Sequence, residues 1–234
     1  MSLTGKRAME LGPGINLVGC IGLRALGAAK VYVADRWIAP WQEDYNPIFC
    51  RMMAERIRAE GHSWDASIFE HVAANGYDGT LELVSSAAED LAQTMPEQVD
   101  AIYSNAVLEH MVDHLATVRA LARITAPGGI NFHQVDFRYH ENFDRPLDYL
   151  LMMPDEFLRE SIAKHYELGC QLRPYELKAM FEEAGFSLSW HPNAFADDAY
   201  LAEFLPRLRA SQSAYRDVAD ELLREVGGLF VLRR

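Results

Sequence analysis

The sequence predicts an α/β fold built on a mostly parallel sheet. Three observations carry that expectation. Strand-like and helix-like runs alternate over the first 135 residues, the pattern left by parallel strands joined through crossover helices. A glycine turn, Glu10-Leu11-Gly12-Pro13-Gly14, stands between the first strand-like run and the first helix. A carboxylate, Asp35, ends the second strand-like run 21 residues beyond Gly14.

The elements follow in order. Arg7 to Leu11 reads as a short strand that ends at the glycines, and Leu17 to Leu26 as a helix stopped by Gly27. Val31 to Ala34 is β-rich, residues 48–60 suit a helix, and Leu81 to Val84 suits a strand. Ala101-Ile102-Tyr103 is the next strand, followed by a helix with Leu115, Val118, Leu121 and Ala122 on one face. Pro127-Gly128-Gly129 is expected to stop that helix before strand character resumes over Ile130 to Val135. Residues 137–172 are aromatic, charged and irregular, with a helix expected from Pro154 to Lys164; a stretch of this length after the fifth strand reads as a lid or substrate-binding insertion. Pro174 opens a helix that Gly185 closes, and Ser187 to Trp190 and Leu229 to Leu232 read as closing strands separated by a helical segment. There is no repeat and no low-complexity linker, so residues 1–234 are expected to form a single domain.

Composition narrows the partners. Half of the 234 residues are hydrophobic and the net charge is -12, which suits a globular protein and disfavours a nucleic-acid backbone as principal partner. Cys20, Cys50 and Cys170 lie far apart, neither a disulfide framework nor a zinc motif. The longest apolar stretch, Ile15 to Ala29, is broken by Arg24 and glycines, so no membrane span is expected. The N-terminus lacks the order of a secretory signal, and the expected location is the cytoplasm. Only MSLTGK precedes the first strand, as if the chain begins at a domain edge or has been trimmed. A small-molecule partner is expected, with homodimerisation left open.

The glycine turn lets the backbone approach a ligand closely. A strand-end carboxylate in the position of Asp35 can accept from both hydroxyls of a ribose. Together they point to a nucleoside-bearing cofactor. Leu17 stands where a dinucleotide loop would need its third glycine, and no Gly-Lys-Ser/Thr phosphate loop exists.

These features belong to a wider set. ELGPG at 10–14, VYVAD at 31–35, AAEDL at 87–91, VDAIYSNAVLEHM at 99–111 and APGGI at 126–130 resemble the class I S-adenosylmethionine-dependent methyltransferases. RPYELKAMFEEAGF at 173–186 is similar to the helix and strand that close their domain. The resemblance implies a Rossmann-like, doubly wound, mostly parallel seven-stranded sheet whose last strand is antiparallel, and S-adenosyl-L-methionine as cofactor. It places Glu10, Gly12 and Gly14 around the methionine end of the cofactor, Asp35 on the ribose hydroxyls and Trp37 against the adenine. Ala88 and Glu89 fall at the adenine edge, and Ser104 and Asn105 face the methionine moiety. Two positions depart from the family pattern. Asn16 replaces the third glycine, and Ser86 or Ala87 stands where the third strand often ends in an acid.

The expected activity is methyl transfer to a small-molecule or saccharide-like acceptor. The alternatives are a nicotinamide-dependent oxidoreductase and a cofactor-binding module without catalysis. A base is needed only if the acceptor loses a proton as it attacks. His110, which follows the fourth strand, and His133, Asp136 and His140, which follow from the fifth, are the candidates for catalysis; Arg138 and Tyr139 are candidates for holding the acceptor. An isolated histidine is more often a hydrogen-bonded structural residue than a base. His133, Asp136 and His140 are suitable metal-ligand types, but on a strand His133 and Asp136 point to opposite faces, so no metal is expected.

Overall fold

The computed structural model describes residues 2–234. Seven strands are present: β1 (Arg7–Leu11), β2 (Lys30–Asp35), β3 (Glu82–Ser85), β4 (Val99–Asn105), β5 (Thr125–Asp136), β6 (Ser187–Phe195) and β7 (Glu225–Arg233). They form one sheet in the order β3-β2-β1-β4-β5-β7-β6. β1 pairs in parallel with β2 and β4, β2 in parallel with β3, and β6 antiparallel with β7. This is the doubly wound, seven-stranded arrangement that the motifs imply. The chain forms two compact units. One holds the residues up to Ser104 with Arg119–Asn131 and Arg234; the other holds Asn105–Val118 and Phe132–Arg233.

In the first unit β1 and β2 are apolar along nearly their whole length. Ala8, Met9, Leu11 and Val31 to Ala34 are all buried, as a sheet covered on both faces requires. Helices α1 (Val18–Ala25), α2 (Asn46–Ala59), α3 (Ala66–Asn75) and α4 (Leu91–Thr94) join the strands. α1 buries Cys20, Ile21 and Ala25. α3 falls where the sequence reading assigns nothing, yet its signals are local. Asp65 caps it by accepting from the Ser67 amide at 3.0 Å, and Ala66, Phe69 and Val72 form its buried stripe at helical spacing.

The expected break at Pro127-Gly128-Gly129 lies inside β5 instead. Helix α5 (His114–Ile124) ends earlier, where the Thr125 hydroxyl donates to the Leu121 carbonyl at 2.7 Å. Gly128 and Gly129 then exchange main-chain hydrogen bonds with Arg234 at 2.9 and 3.1 Å, so strand pairing holds the segment that composition marks as a turn. Pro127 fits because it lies near the start of the strand.

The second unit contains α6 (Pro154–Ala163), α7 (Pro174–Glu183), α8 (Asp198–Arg209) and α9 (Asp220–Arg224). Residues 137–172, expected as an irregular insertion, carry core as well as surface. Leu147, Tyr149 and Leu150 are fully buried in a cluster with Tyr200, Phe204 and Leu208 of α8. Leu158 and Ile162 of α6, by contrast, are about half exposed, at 51% and 54%.

Arg173, at the start of α7, is the largest fully buried side chain of the unit. Its guanidinium donates to the Phe137 carbonyl at 2.9 Å, to the Tyr149 hydroxyl at 3.1 Å and to the Glu225 carbonyl. Its own amide donates to Glu176 at 2.8 Å, half of a capping box that starts α7. One side chain therefore fastens the segments after β5, before α6, at α7 and at the start of β7. Removing it takes a donor from each of these groups at once, and although the Tyr149 hydroxyl still donates to the Phe137 carbonyl at 2.7 Å, a buried acceptor left without a partner costs about 1–3 kcal/mol. Arg173→Met should lower the unfolding free energy by about 3 kcal/mol or more in denaturant titrations, and Arg173→Lys, which lacks the planar fork, should not restore it.

Candidate active site

The donor-side residues expected from the sequence lie in the first unit, apart from Asn105. Gly12 and Gly14 both adopt left-handed backbone, with φ of +66° and +73°, and a side chain at Gly14 would meet nothing within 4 Å. The loop therefore presents bare backbone. α1 follows without a side-chain cap from its N-cap residue Leu17, its first amide, that of Val18, donating instead to Asn16 Oδ1 at 3.4 Å. The Asp35 carboxylate is aimed by the Trp37 amide, which donates to Oδ1 at 2.9 Å. Trp37 is 78% exposed and Ile15, in the glycine loop, 88%, the two most exposed large apolar side chains among the described residues. Apolar surface displayed on the loops after β1 and β2 is what a bound adenosine would cover. These residues fit S-adenosylmethionine.

Four other donor-side residues are Glu10, Ser104, Ala88 and Glu89. Glu10 is buried and turned onto α1, where it accepts from the Cys20 thiol at 3.0 Å. Burial raises the pKa of its carboxyl, opposed by that hydrogen bond, and burial likewise pushes the Cys20 thiol up. Gly19 permits this packing, because a Cβ there would stand 2.5 Å from the carboxylate. Ser104 is fully buried, while Asn105 beside it is exposed. Ala88 is buried, and Glu89 reaches Arg36 at 3.7 Å.

The acceptor-side candidates lie in the second unit, and the structure sorts them. His133 is wholly buried and stacks on Phe181 at 6.0 Å; burial drives its pKa down to about 3. As a core residue it has no surface to offer an acceptor. Asp136 is engaged by Arg138, whose Nη2 donates to Oδ2 at 2.6 Å and Nε to Oδ1 at 2.9 Å. Burial opposes the Asp136 charge, but the hydrogen bonds and charge of Arg138 hold its pKa below the usual range. Arg138 also lies 4.6 Å over the Phe143 ring, and Tyr139 stacks on the buried Tyr149 at 5.6 Å. These three residues brace the segment after β5.

His110 and His140 do come together, with ring centroids 5.0 Å apart. A third residue joins them. Glu109 is 1% exposed, and one ligand atom from each of Glu109, His110 and His140 falls within 4.8 Å of the others. The Asp136 amide donates to Glu109 Oε1 at 3.1 Å. Burial nonetheless pushes the Glu109 carboxyl up to about 8, main-chain hydrogen bonds opposing the shift. Burial, then the charge of His110, lowers the pKa of His140.

The backbone at 165–169 orients both rings. His110 Nδ1 stands 2.8 Å from the Tyr166 carbonyl and His140 Nδ1 3.2 Å from the Glu167 carbonyl. A carbonyl only accepts, so each Nδ1 carries the hydrogen, and in the neutral ring the lone pair then lies on Nε2. Consecutive carbonyls reach two rings because the turn is wound left-handed: His165, Tyr166 and Gly169 have φ of +52°, +64° and +83°. Two non-glycine residues in this region cost of order 1–3 kcal/mol each, strain of a kind that collects at functional sites. Ala106, just after β4, is also left-handed, at +55°.

Glu109 is the member that the sequence reading missed. It stood inside the quoted Leu108-Glu109-His110 run, but composition marks an acid as solvated surface, and only folding buries it. Glu109 and His110 also border a cleft of about 310 Å³ whose other walls include Met111, Phe157, Tyr166 and Tyr215. A larger cleft of about 520 Å³, bordered by Trp41, Tyr77 and Leu83, contains none of the expected cofactor residues.

Gly169 is the strictest backbone requirement of this site. A Cβ there would lie 3.2 Å from the Arg138 carbonyl and 3.6 Å from His140 Nε2. Gly169→Ala should lower stability by about 1–2 kcal/mol, measured by thermal or denaturant unfolding, whereas Leu168→Ile, which keeps the backbone, should cost less.

A family model described as a methyltransferase domain matches residues 2–189. The ubiquinone biosynthesis O-methyltransferase of Pseudomonas syringae pv. tomato is 31% identical over 111 residues, 47% of this chain and 45% of that protein. The enzyme of the same name from Pseudomonas putida is 32% identical over 110 residues, 46% and 45% of the two chains. The chain thus matches about half the length of these curated relatives. Among solved structures, an S-adenosylmethionine-dependent methyltransferase from Mesorhizobium loti covers 100% of this chain and 93% of its own at a TM-score of 0.54 and 19% identity. A similarly described protein from Listeria monocytogenes gives 0.55 at 13% identity, with the same coverage. These two likenesses establish the fold. With the family model spanning residues 2–189, most of the sequence, the chain belongs to the methyltransferase-domain family.

Proposed function

We propose that the protein methylates a hydroxyl oxygen of a small, largely apolar acceptor, with the donor held by residues of the first unit and the acceptor bound by residues of the second. The observation that carries this reading is the Glu109–His110–His140 cluster, which offers two imidazole lone pairs beside a buried carboxyl. An amine can be methylated from its neutral form without help, whereas a hydroxyl must lose its proton as the oxygen attacks. A buried group of lone-pair atoms serves the second case. The O-methyltransferase names of the curated relatives agree with it.

The cofactor supplies an electrophilic methyl group. The chain's own residues then orient, desolvate and deprotonate. Gly12, Gly14 and Asp35 hold the donor in one direction, because in-line displacement gains most from alignment. Phe157, Tyr166 and Tyr215 give the cleft of the second unit aromatic walls, which favour a planar hydroxylated ring over a saccharide. The cluster draws off the proton of the acceptor hydroxyl, its oxygen forms the new bond to carbon, and the carbon–sulfur bond breaks to leave a neutral thioether. In this reading α6, with Leu158 and Ile162 turned outward, acts as the cover over a bound acceptor. Among the described residues no helix is long and apolar enough to cross a membrane.

Deuteromethyl-labelled S-adenosylmethionine offered with panels of phenols, catechols, amines and sugars tests the reading by mass spectrometry. Label on a hydroxylated aromatic is the expected result, and label only on nitrogen or on a sugar would overturn it. Two variants test the division of labour. Asp35→Ala should weaken S-adenosylhomocysteine binding by roughly 1.5–3 kcal/mol in calorimetry, the range for hydrogen bonds to a charged group. His140→Ala should leave that affinity nearly unchanged while cutting turnover by roughly 10²–10⁴-fold, the usual share of proton-transfer catalysis.

A further inference from the structure

We propose that Glu109, His110 and His140 form a binding site for a divalent first-row transition-metal cation of the Zn²⁺ or Mn²⁺ type. The first support is convergence. One ligand atom from each residue lies within 4.8 Å of the others, in an arrangement of two imidazoles and one carboxylate. Metal–ligand bonds of about 2.0–2.2 Å place ligands roughly 3.0–3.5 Å apart, so closing the site takes side-chain movements of about an ångström.

The second support is orientation. A metal-ligating histidine almost always donates its other N–H to a carbonyl or carboxylate, which fixes the tautomer and aims the ring. His110 and His140 both do so, to the carbonyls of Tyr166 and Glu167. The carboxylate is steadied in the same way by the Asp136 amide on Oε1.

The third support is unmet demand. Glu109 Oε2 and His140 Nε2 are buried without a hydrogen-bond partner among the described residues, although Glu109 is 1% exposed. A plain carboxyl–imidazole hydrogen bond would satisfy both atoms, and the two do not make one. Buried polar atoms left open in a native fold call for a water or an ion. A glycine at 169 keeps the space beside His140 Nε2 clear, where a Cβ would sit at 3.6 Å. The nearby Asp136 carboxylate is already committed to Arg138 and adds no ligand.

Imidazole nitrogens favour Zn²⁺ and its neighbours over Mg²⁺, which prefers all-oxygen surroundings. Three protein ligands leave a coordination position open, the mark of catalytic rather than structural sites. An ion there would occupy the imidazole lone pairs and take over the deprotonation assigned to them above: it would bind an acceptor hydroxyl and acidify it, so that the proton passes to solvent before attack. That role rests on the function proposed above; the binding itself rests on the geometry alone.

The test measures metal on the 234-residue chain without cofactor or acceptor. After chelator treatment and dialysis, Zn²⁺ and Mn²⁺ are titrated by calorimetry, bound metal is counted by elemental analysis, and Co²⁺ substitution is followed by visible absorption. A single high-affinity ion per chain with a Co²⁺ ligand-field band is expected. His140→Ala and Glu109→Gln should each weaken it beyond the roughly 10–100-fold lost with an orienting partner alone. His71→Ala, an exposed histidine elsewhere, should leave it unchanged. Should Glu109→Gln fail to fold, the half-buried His140→Ala decides. Absence of a high-affinity ion in the wild-type protein, or undiminished binding in folded His140→Ala, overturns the site. Because no methyl transfer enters this measurement, its failure leaves the acceptor reading standing, and a failed acceptor screen leaves the metal site standing.

Discussion

The second unit depends on the burial of one cation. Arg173 carries a charge into a region that water does not reach, and that is tolerable only because main-chain carbonyls and the Tyr149 hydroxyl surround its guanidinium. The consequence is geometric. The donors of a guanidinium lie in one plane at fixed angles, so Phe137, Tyr149 and Glu225 are held in register with the start of α7. Phe137 begins the segment that carries His140, and Arg173 ends the one that carries Tyr166 and Glu167. Both segments are pinned at one root by the same side chain.

That pinning explains how a strained turn survives. Left-handed backbone at His165 and Tyr166 is unfavourable alone and persists where the surroundings over-determine it. Here α6 leads directly into the turn, with the Tyr166 amide donating to the Ser161 carbonyl at 2.7 Å, and Arg173 holds the far end. What the strain secures is direction. Two neighbouring carbonyls point at two imidazoles, and each ring is left with its lone pair on the same nitrogen.

The sequence spoke clearly about the first unit and poorly about the second. β1, the glycine turn, α1, β2 and Asp35 are local in sequence, and each carries a compositional mark: an apolar run, a positive-φ glycine, a strand-end acid. Their positions followed within a residue or two. Pro127-Gly128-Gly129 misled because local turn chemistry was outweighed by pairing with Arg234, over a hundred residues away. His133, Asp136 and His140 looked alike as polar residues around one strand end. Folding gave them separate fates, a stacked core ring, a partner for Arg138 and a member of the cluster. Burial decides between those fates, and burial of a polar side chain depends on contacts that no short window contains.

The same reasoning explains why the cluster escapes a motif search. Glu109 and His110 are adjacent, His140 lies thirty residues on, and the groups that aim the rings are carbonyls. A carbonyl is present whatever the residue, so positions 166 and 167 can vary in side chain while the backbone course stays fixed. What the sequence must preserve is conformational, a glycine at 169 and an arginine at 173 to anchor the turn. The donor side, by contrast, writes its chemistry in side chains and glycines that a reader of sequence can see. The walls of the neighbouring cleft, such as Phe157 or Tyr215, can therefore change without disturbing the backbone that orients the histidines.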